Sequence, residues 1–230
     1  MKARSSKLKL EDLKYVEPIT KNQERVFKAY KDNYNLILSG AAGTGKTFVA
    51  IANALVDILD KETQYKQLII VRSIVPTRDI GFLPGDEEEK KLVYEAPYMI
   101  ICNDLFNSSD AWDRLKANGD VQFVTTSFLR GITIDNAIVI VDEMQNLTGR
   151  ELNTTITRLG NNCKFIACGD YRQSDFTTRK DKEDILTFLD IVSNMKMFQS
   201  IEFGWEDIVR SDLVREYIMT KEMMKLGVDW

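Results

Sequence analysis

The chain has no histidine in its 230 residues. That removes imidazole as base, nucleophile or metal ligand, so any acid–base work falls to carboxylates and water. Cysteine is scarce too. Cys102, Cys163 and Cys168 are odd in number and lack CxxC spacing, which argues against a disulfide frame or zinc site and for a reducing, cytoplasmic setting. No run of about 18 apolar residues occurs, so no membrane-spanning helix is predicted. The opening MKARSSKLKLEDLK is basic but has no apolar stretch, unlike a secretory leader. Positive charge is not in surplus: 31 Lys and Arg face 35 Asp and Glu, a formal net charge of −4. The surface as a whole does not advertise a polyanion partner, although one basic face remains open. Four prolines and twelve glycines mark no clean domain boundary, and there is no internal repeat or low-complexity linker.

Present instead are short apolar runs separated by helical patterns. Strands are predicted at Leu36 to Ser39, Gln67 to Arg72, Val121 to Thr125, Ala137 to Val141, Lys164 to Cys168 and Phe198 to Phe203. Helices are predicted from Thr20 to about Lys31, Lys46 to Leu59, Glu87 to Phe106 with a break near Pro97, Thr148 to Leu159, Asp181 to Ser193 and Ser211 to Lys225. Apolar strands with little alternation imply an α/β fold whose parallel sheet is covered on both faces. Ligands in such folds bind at the carboxyl ends of the strands.

Gly40-Ala41-Ala42-Gly43-Thr44-Gly45-Lys46-Thr47 follows the first strand and opens the next helix. It fits GxxxxGK[ST] in the context that motif requires. Its glycines let consecutive N–H groups aim at phosphate oxygens, and the helix N-terminus adds its positive end. Lys46 would reach the β- and γ-phosphates, and the Thr47 hydroxyl would hold Mg²⁺. The strand Ile138 to Val141 ends in Asp142-Glu143. Beside a phosphate loop, Asp142 is the second magnesium residue and Glu143 the group that orients or deprotonates the attacking water. Gly169-Asp170-Tyr171-Arg172-Gln173 also follows a strand, and Gln173 could touch the γ-phosphate or that water.

These segments resemble the PhoH family of ATPases, P-loop proteins related to the ATPase core of superfamily 1 helicases. The resemblance rests on GAAGTGKT, Ile80-Gly81-Phe82-Leu83-Pro84-Gly85-Asp86, Ser127-Phe128-Leu129-Arg130-Gly131, Val141-Asp142-Glu143-Met144-Gln145-Asn146, Thr157-Arg158-Leu159-Gly160, Gly169-Asp170 with Gln173, and Asp207-Ile208-Val209-Arg210. It spans about residues 18–216. It implies a three-layer, RecA-like P-loop NTPase domain with a mainly parallel sheet, using ATP and Mg²⁺. It also implies that Gln23, in Thr20-Lys21-Asn22-Gln23, reads the adenine edge. Two positions depart from the family pattern. Ile132 stands where a second basic residue is usual, which weakens anion binding by that loop, and Met144 stands where alanine is usual.

The expected organisation is a polar N-terminal segment, 1–17, followed by one ATPase domain, 18–230. Helicases of this type clamp ATP between two sheet domains, and only about 60 residues follow Gln173, fewer than a usual domain. The cation for the γ-phosphate is therefore expected from a second copy in a closed homo-oligomeric ring, most simply a hexamer. Arg210 is the first choice, with Arg172 and Arg158 behind it. The leading substrate class is RNA or single-stranded DNA, touched by Arg72, Ser73, Arg78, Thr126 and Arg130 on loops after the second and third strands. Phe82 could stack a base, but more simply packs its loop against the sheet. The alternative is a nucleotide-dependent switch or remodelling ring acting on a protein, which the acidic balance favours. A small-molecule kinase is disfavoured by Glu143 and by the lack of an arginine-rich lid. A GTPase is disfavoured by the lack of an NKxD-like motif, and a nuclease by the lack of a second acid cluster.

Overall fold

The six predicted strands pair into one sheet whose inner strands are apolar enough to be buried on either side, while the edge strands β3 and β6 carry exposed polar residues. The structure, a computed structural model, describes residues 7–73, 87–129, 131–170 and 179–226. The strands are β1 (Asn35–Gly40), β2 (Gln67–Arg72), β3 (Val121–Thr125), β4 (Ala137–Val141), β5 (Cys163–Gly169) and β6 (Phe198–Phe203). Their order is β3-β2-β4-β5-β1-β6, and every pairing is parallel.

Successive residues serve opposite faces. Leu36, Leu38, Ile138 and Ile140 pack under α1 (Lys21–Lys31), α2 (Lys46–Leu59), α3 (Glu87–Leu105) and α4 (Ala111–Asn118). Ile37, Val139 and Val141 pack under α5 (Gly149–Thr157) and α6 (Arg179–Ser193). A last helix, α7 (Asp212–Leu226), follows β6. The result is a three-layer α/β domain, and the dual burial explains why the strands read as unbroken apolar runs. No helix among the described residues is long and apolar enough to cross a membrane.

Three features differ from the sequence pattern. Helix α3 runs unbroken through Pro97; Tyr94, Tyr98 and Cys102 are buried around it, so tertiary packing outweighs the lost backbone hydrogen bond. Helix α4 was not expected, although it ends in a left-handed Gly119, the usual helix stop. The N-terminal segment is not merely a polar tail. From residue 7 onward it lies on the domain: Leu8 is 3% exposed, Leu13 and Val16 pack against the same core, and the Lys14 amide donates to the Leu105 carbonyl.

Candidate functional site

Helix α2 begins straight out of β1 because three glycines let the chain reverse without a clash. Gly40, Gly43 and Gly45 all have positive φ. At Gly40 a Cβ would lie 2.1 Å from the Phe203 carbonyl oxygen of β6, so no other residue fits. That same carbonyl accepts from the Ala41 amide at 3.2 Å. The loop is therefore seated on the neighbouring strand.

Two further elements grip the loop. Thr20 caps α1 by accepting from the Gln23 amide. The buried Gln23 side chain then donates to the Thr44 carbonyl at 3.1 Å and accepts from the Ile19 amide at 2.9 Å. In this arrangement its amide ties the N-terminal segment to the phosphate loop, leaving one N–H and one lone pair for any base. On the other side, the Val209 amide donates to the Gly43 carbonyl at 3.0 Å. A Cβ on Gly43 would stand 2.9 Å from Arg210 Cγ and 3.6 Å from Ile218 Cδ1 of α7. Arg210 thus lies against its own loop. The two grips are themselves joined: Asn22 Nδ2 donates to Asp207 Oδ2 at 2.7 Å. Burial alone would push the Asp207 carboxyl up, but hydrogen bonds from Asn22, Thr20 and the Gly204 and Asn22 amides outweigh it and hold its pKa below the usual value.

Within the loop, Lys46 Nζ donates to the Gly40 and Ala41 carbonyls at 2.9 and 2.7 Å and to Thr44 Oγ1 at 3.2 Å. Burial pulls the Lys46 ammonium below its ordinary pKa, while Cys168, Asp170, Glu143 and Asp142 act against that pull. Ala42 at the tip is exposed.

The acid pair comes from β4. The Thr47 hydroxyl donates to Asp142 Oδ1 at 2.7 Å, and the buried Tyr98 hydroxyl of α3 donates to Oδ2 at 2.8 Å. Glu143 has φ 51° and ψ 46°, a left-handed conformation rare for a non-glycine residue. The Gln145 amide donates to Glu143 Oε2, and its oxygen accepts from the Asp170 amide at 3.0 Å. Gly169 makes this bridge sterically feasible, since a Cβ there would meet Gln145 Oε1 at 2.3 Å. Gln145, Tyr98 and the Asn22–Asp207 pair are the members sequence reasoning missed. Gln145 lay inside the quoted acid motif. Tyr98 reads only as a core residue, and 185 positions separate Asn22 from Asp207.

The expected nucleic-acid residues disperse. Ser73 and Thr126 are buried, and both hydroxyls meet Glu151 Oε1, at 3.3 and 2.5 Å. In this structure both hydroxyls are spent on the half-buried Glu151 carboxylate. Arg72 lies over the Tyr94 ring, 5.4 Å from its centroid, and its charge acts on Tyr98. It belongs with the acid pair; burial works against its charge, while Tyr98, Glu143 and Asp142 raise its pKa. Arg78, Arg130, Arg172 and Gln173, and with them Phe82, fall outside the described residues. Arg158 caps the far end of α5, where its carbonyl accepts from the Ile134 amide just before β4. The phosphate loop follows the opposite end of a parallel strand, about 17–20 Å away. Among the described residues, no group of three or more Cys, Asp or Glu could hold a metal by themselves.

Comparison with known proteins identifies the family. The family profile described as PhoH-like protein matches residues 15–222. The PhoH-like protein of Bacillus subtilis is 31% identical over 229 residues, covering 94% of this chain and 70% of that protein. Protein PhoH of Escherichia coli is 33% identical over 193 residues, covering 83% and 54%. Protein PhoH2 of Bacillus subtilis is 39% identical over 142 residues, covering 60% and 32%. The chain thus spans between about a third and 70% of these relatives. Among solved structures, the large terminase of a thermophilic bacteriophage in complex with ADP superimposes with a TM-score of 0.50 at 16% identity, over 87% of this chain and 49% of that one. At that identity the likeness concerns the fold.

Proposed function

The chain belongs to the PhoH-like family, and on that premise we propose that it binds ATP and hydrolyses the β–γ phosphoanhydride bond. The observation that carries the proposal is the meeting of the Thr47 hydroxyl and Asp142 carboxylate, 2.7 Å apart, at the foot of a glycine-built phosphate loop. A hydroxyl beside a carboxylate is an all-oxygen donor set of the kind a hard divalent cation prefers, so the residues fit Mg²⁺. Thr47 and Asp142 would hold it, and when bound it neutralises charge on the β- and γ-phosphates.

The remaining roles belong to protein groups. Loop amides receive phosphate oxygens, and Lys46 exchanges its carbonyl partners for the β- and γ-phosphates. Glu143, aimed by Gln145, takes a proton from the attacking water. Gln173 senses the γ-phosphate. Gln23 braces the loop beneath the base and offers its free amide valences to adenine. Arg210 serves the phosphate of its own subunit, because it rests on its own Gly43. This revises the expectation that Arg210 reaches across to a neighbour. A cation supplied by a second copy is better drawn from Arg158, which lies too far from its own loop to serve it. The assembly proposed is a head-to-tail homo-oligomeric ring, a hexamer in its simplest form.

RNA or single-stranded DNA remains the leading substrate class, with Arg78 and Arg130 as its candidate contacts. A second reading, a nucleotide-driven switch acting on a protein partner, is favoured by the inward turn of Ser73 and Thr126 and by the net negative charge. The experiment is ATP turnover with and without RNA and single-stranded DNA, with oligomer mass read from the same sample. Stimulation that falls steeply with salt supports the nucleic-acid reading. Turnover indifferent to every polynucleotide supports the switch. A monomer at full turnover removes the ring, and absence of ATP binding removes the proposal as a whole.

A further inference from the structure

Asp142 is held at both oxygens by hydroxyls from two different helices. Thr47 of α2 takes Oδ1 and Tyr98 of α3 takes Oδ2. Thr47 belongs to the phosphate-loop motif, whereas nothing in that motif calls for Tyr98. It is fully buried, and its ring is fixed against Phe123, with centroids 5.6 Å apart. A phenol has one proton to donate, and Tyr98 spends it on the carboxylate. Its oxygen is then left to accept, and the positive Arg72 guanidinium acts on it electrostatically. Arg72 is in turn steadied over the Tyr94 ring, one turn earlier on α3. The donated bond runs from Tyr98 to Asp142, with the Arg72 charge beside it.

Each link has a physical consequence. The hydroxyl removes one rotational choice from the carboxylate, so the oxygen facing Thr47 stays where it is. The guanidinium polarises the phenol and strengthens the donated bond. We propose that Tyr98 is a positioning residue that fixes the Asp142 carboxylate for the magnesium of a Mg–ATP complex, with Arg72 as its support. This rests on the Mg–ATP reading of the site. Partners of metal-side carboxylates typically contribute 10–100-fold to metal affinity.

The test uses the full chain and Tyr98→Phe, which keeps the ring against Phe123 and removes only the hydroxyl. Binding of a fluorescent ATP analogue is followed across a magnesium titration and, separately, in EDTA. The half-saturating magnesium concentration is expected to rise about tenfold, while binding in EDTA stays within about twofold of the parent. Arg72→Gln is expected to raise the magnesium midpoint less, in the same direction. It carries the measurement if Tyr98→Phe does not fold. An unchanged magnesium midpoint in both variants overturns the proposal. So does an equal loss with and without magnesium, which marks a packing role. If the parent itself binds the analogue with no dependence on magnesium, the Mg–ATP reading fails first and the positioning role falls with it.

Discussion

The loops after β1 and β4 and those after β2 and β3 leave the same end of one parallel sheet, yet their polar groups are used differently. After β1 and β4, Thr47 bonds Asp142 and the Lys46 charge acts on Asp142 and Glu143. After β2 and β3, Ser73 and Thr126 converge on Glu151, a side chain that also closes the capping box of α5 with Thr148. Position at a strand end is therefore not enough to make a ligand group. What decides is whether a third element claims the side chain first, and α5 does so only on one side.

Four experiments break or sharpen this contrast. The largest effect is expected from Glu143→Gln. Turnover should fall by about 10²–10⁴-fold, the usual worth of a positioned base, with ATP binding kept; phosphate release and equilibrium binding measure the two. Next is Gly169→Ala, whose added methyl overlaps Gln145 and breaks its bridge between Glu143 and Asp170. A turnover loss together with about 1–3 kcal/mol of lost stability is expected, read from kinetics and denaturant unfolding of the same variant.

Asp207→Asn tests the grip around the phosphate loop through pH. The native carboxyl is shifted below its ordinary value of 3.8, so the folded chain favours the charged form. Its stabilisation is whole above that value and drains as pH falls through the lower native one. The variant should melt below the parent at pH 7, and the gap should close in strong acid. The smallest effect is expected from Glu151→Gln. Loss of the charged cap partner should cost about 1 kcal/mol or less in thermal melts and leave ATP turnover near the parent. A gain in oligonucleotide binding by this variant would show that Glu151 is what withholds Ser73 and Thr126.

Much of the fold was legible because parallel strands buried on both faces leave an unmistakable apolar signature. The strands at Gln67–Arg72, Val121–Thr125, Ala137–Val141 and Phe198–Phe203 begin and end where the pattern predicts. Pro97 misled because local propensity is a weak force inside a packed helix. The phosphate loop and acid pair were legible because their chemistry constrains adjacent residues. The braces were not: Tyr98, Gln145 and the Asn22–Asp207 pair depend on three-dimensional proximity between distant segments. Arg72 was assigned to a surface role for the same reason, since no local pattern reveals that its guanidinium lies between two tyrosines of α3.

β6 is a rim of the sheet, and its Phe203 carbonyl is the seat beneath Gly40 and Ala41. The phosphate loop consequently stands a single strand in from that border, whereas the acid pair on β4 stands three strands in. A displacement of that border reaches Gly40 and Ala41 directly, through the Phe203 carbonyl. By reciprocity, a phosphate seated in that loop would stiffen the border, and the mechanical compliance of β6 would report its occupancy.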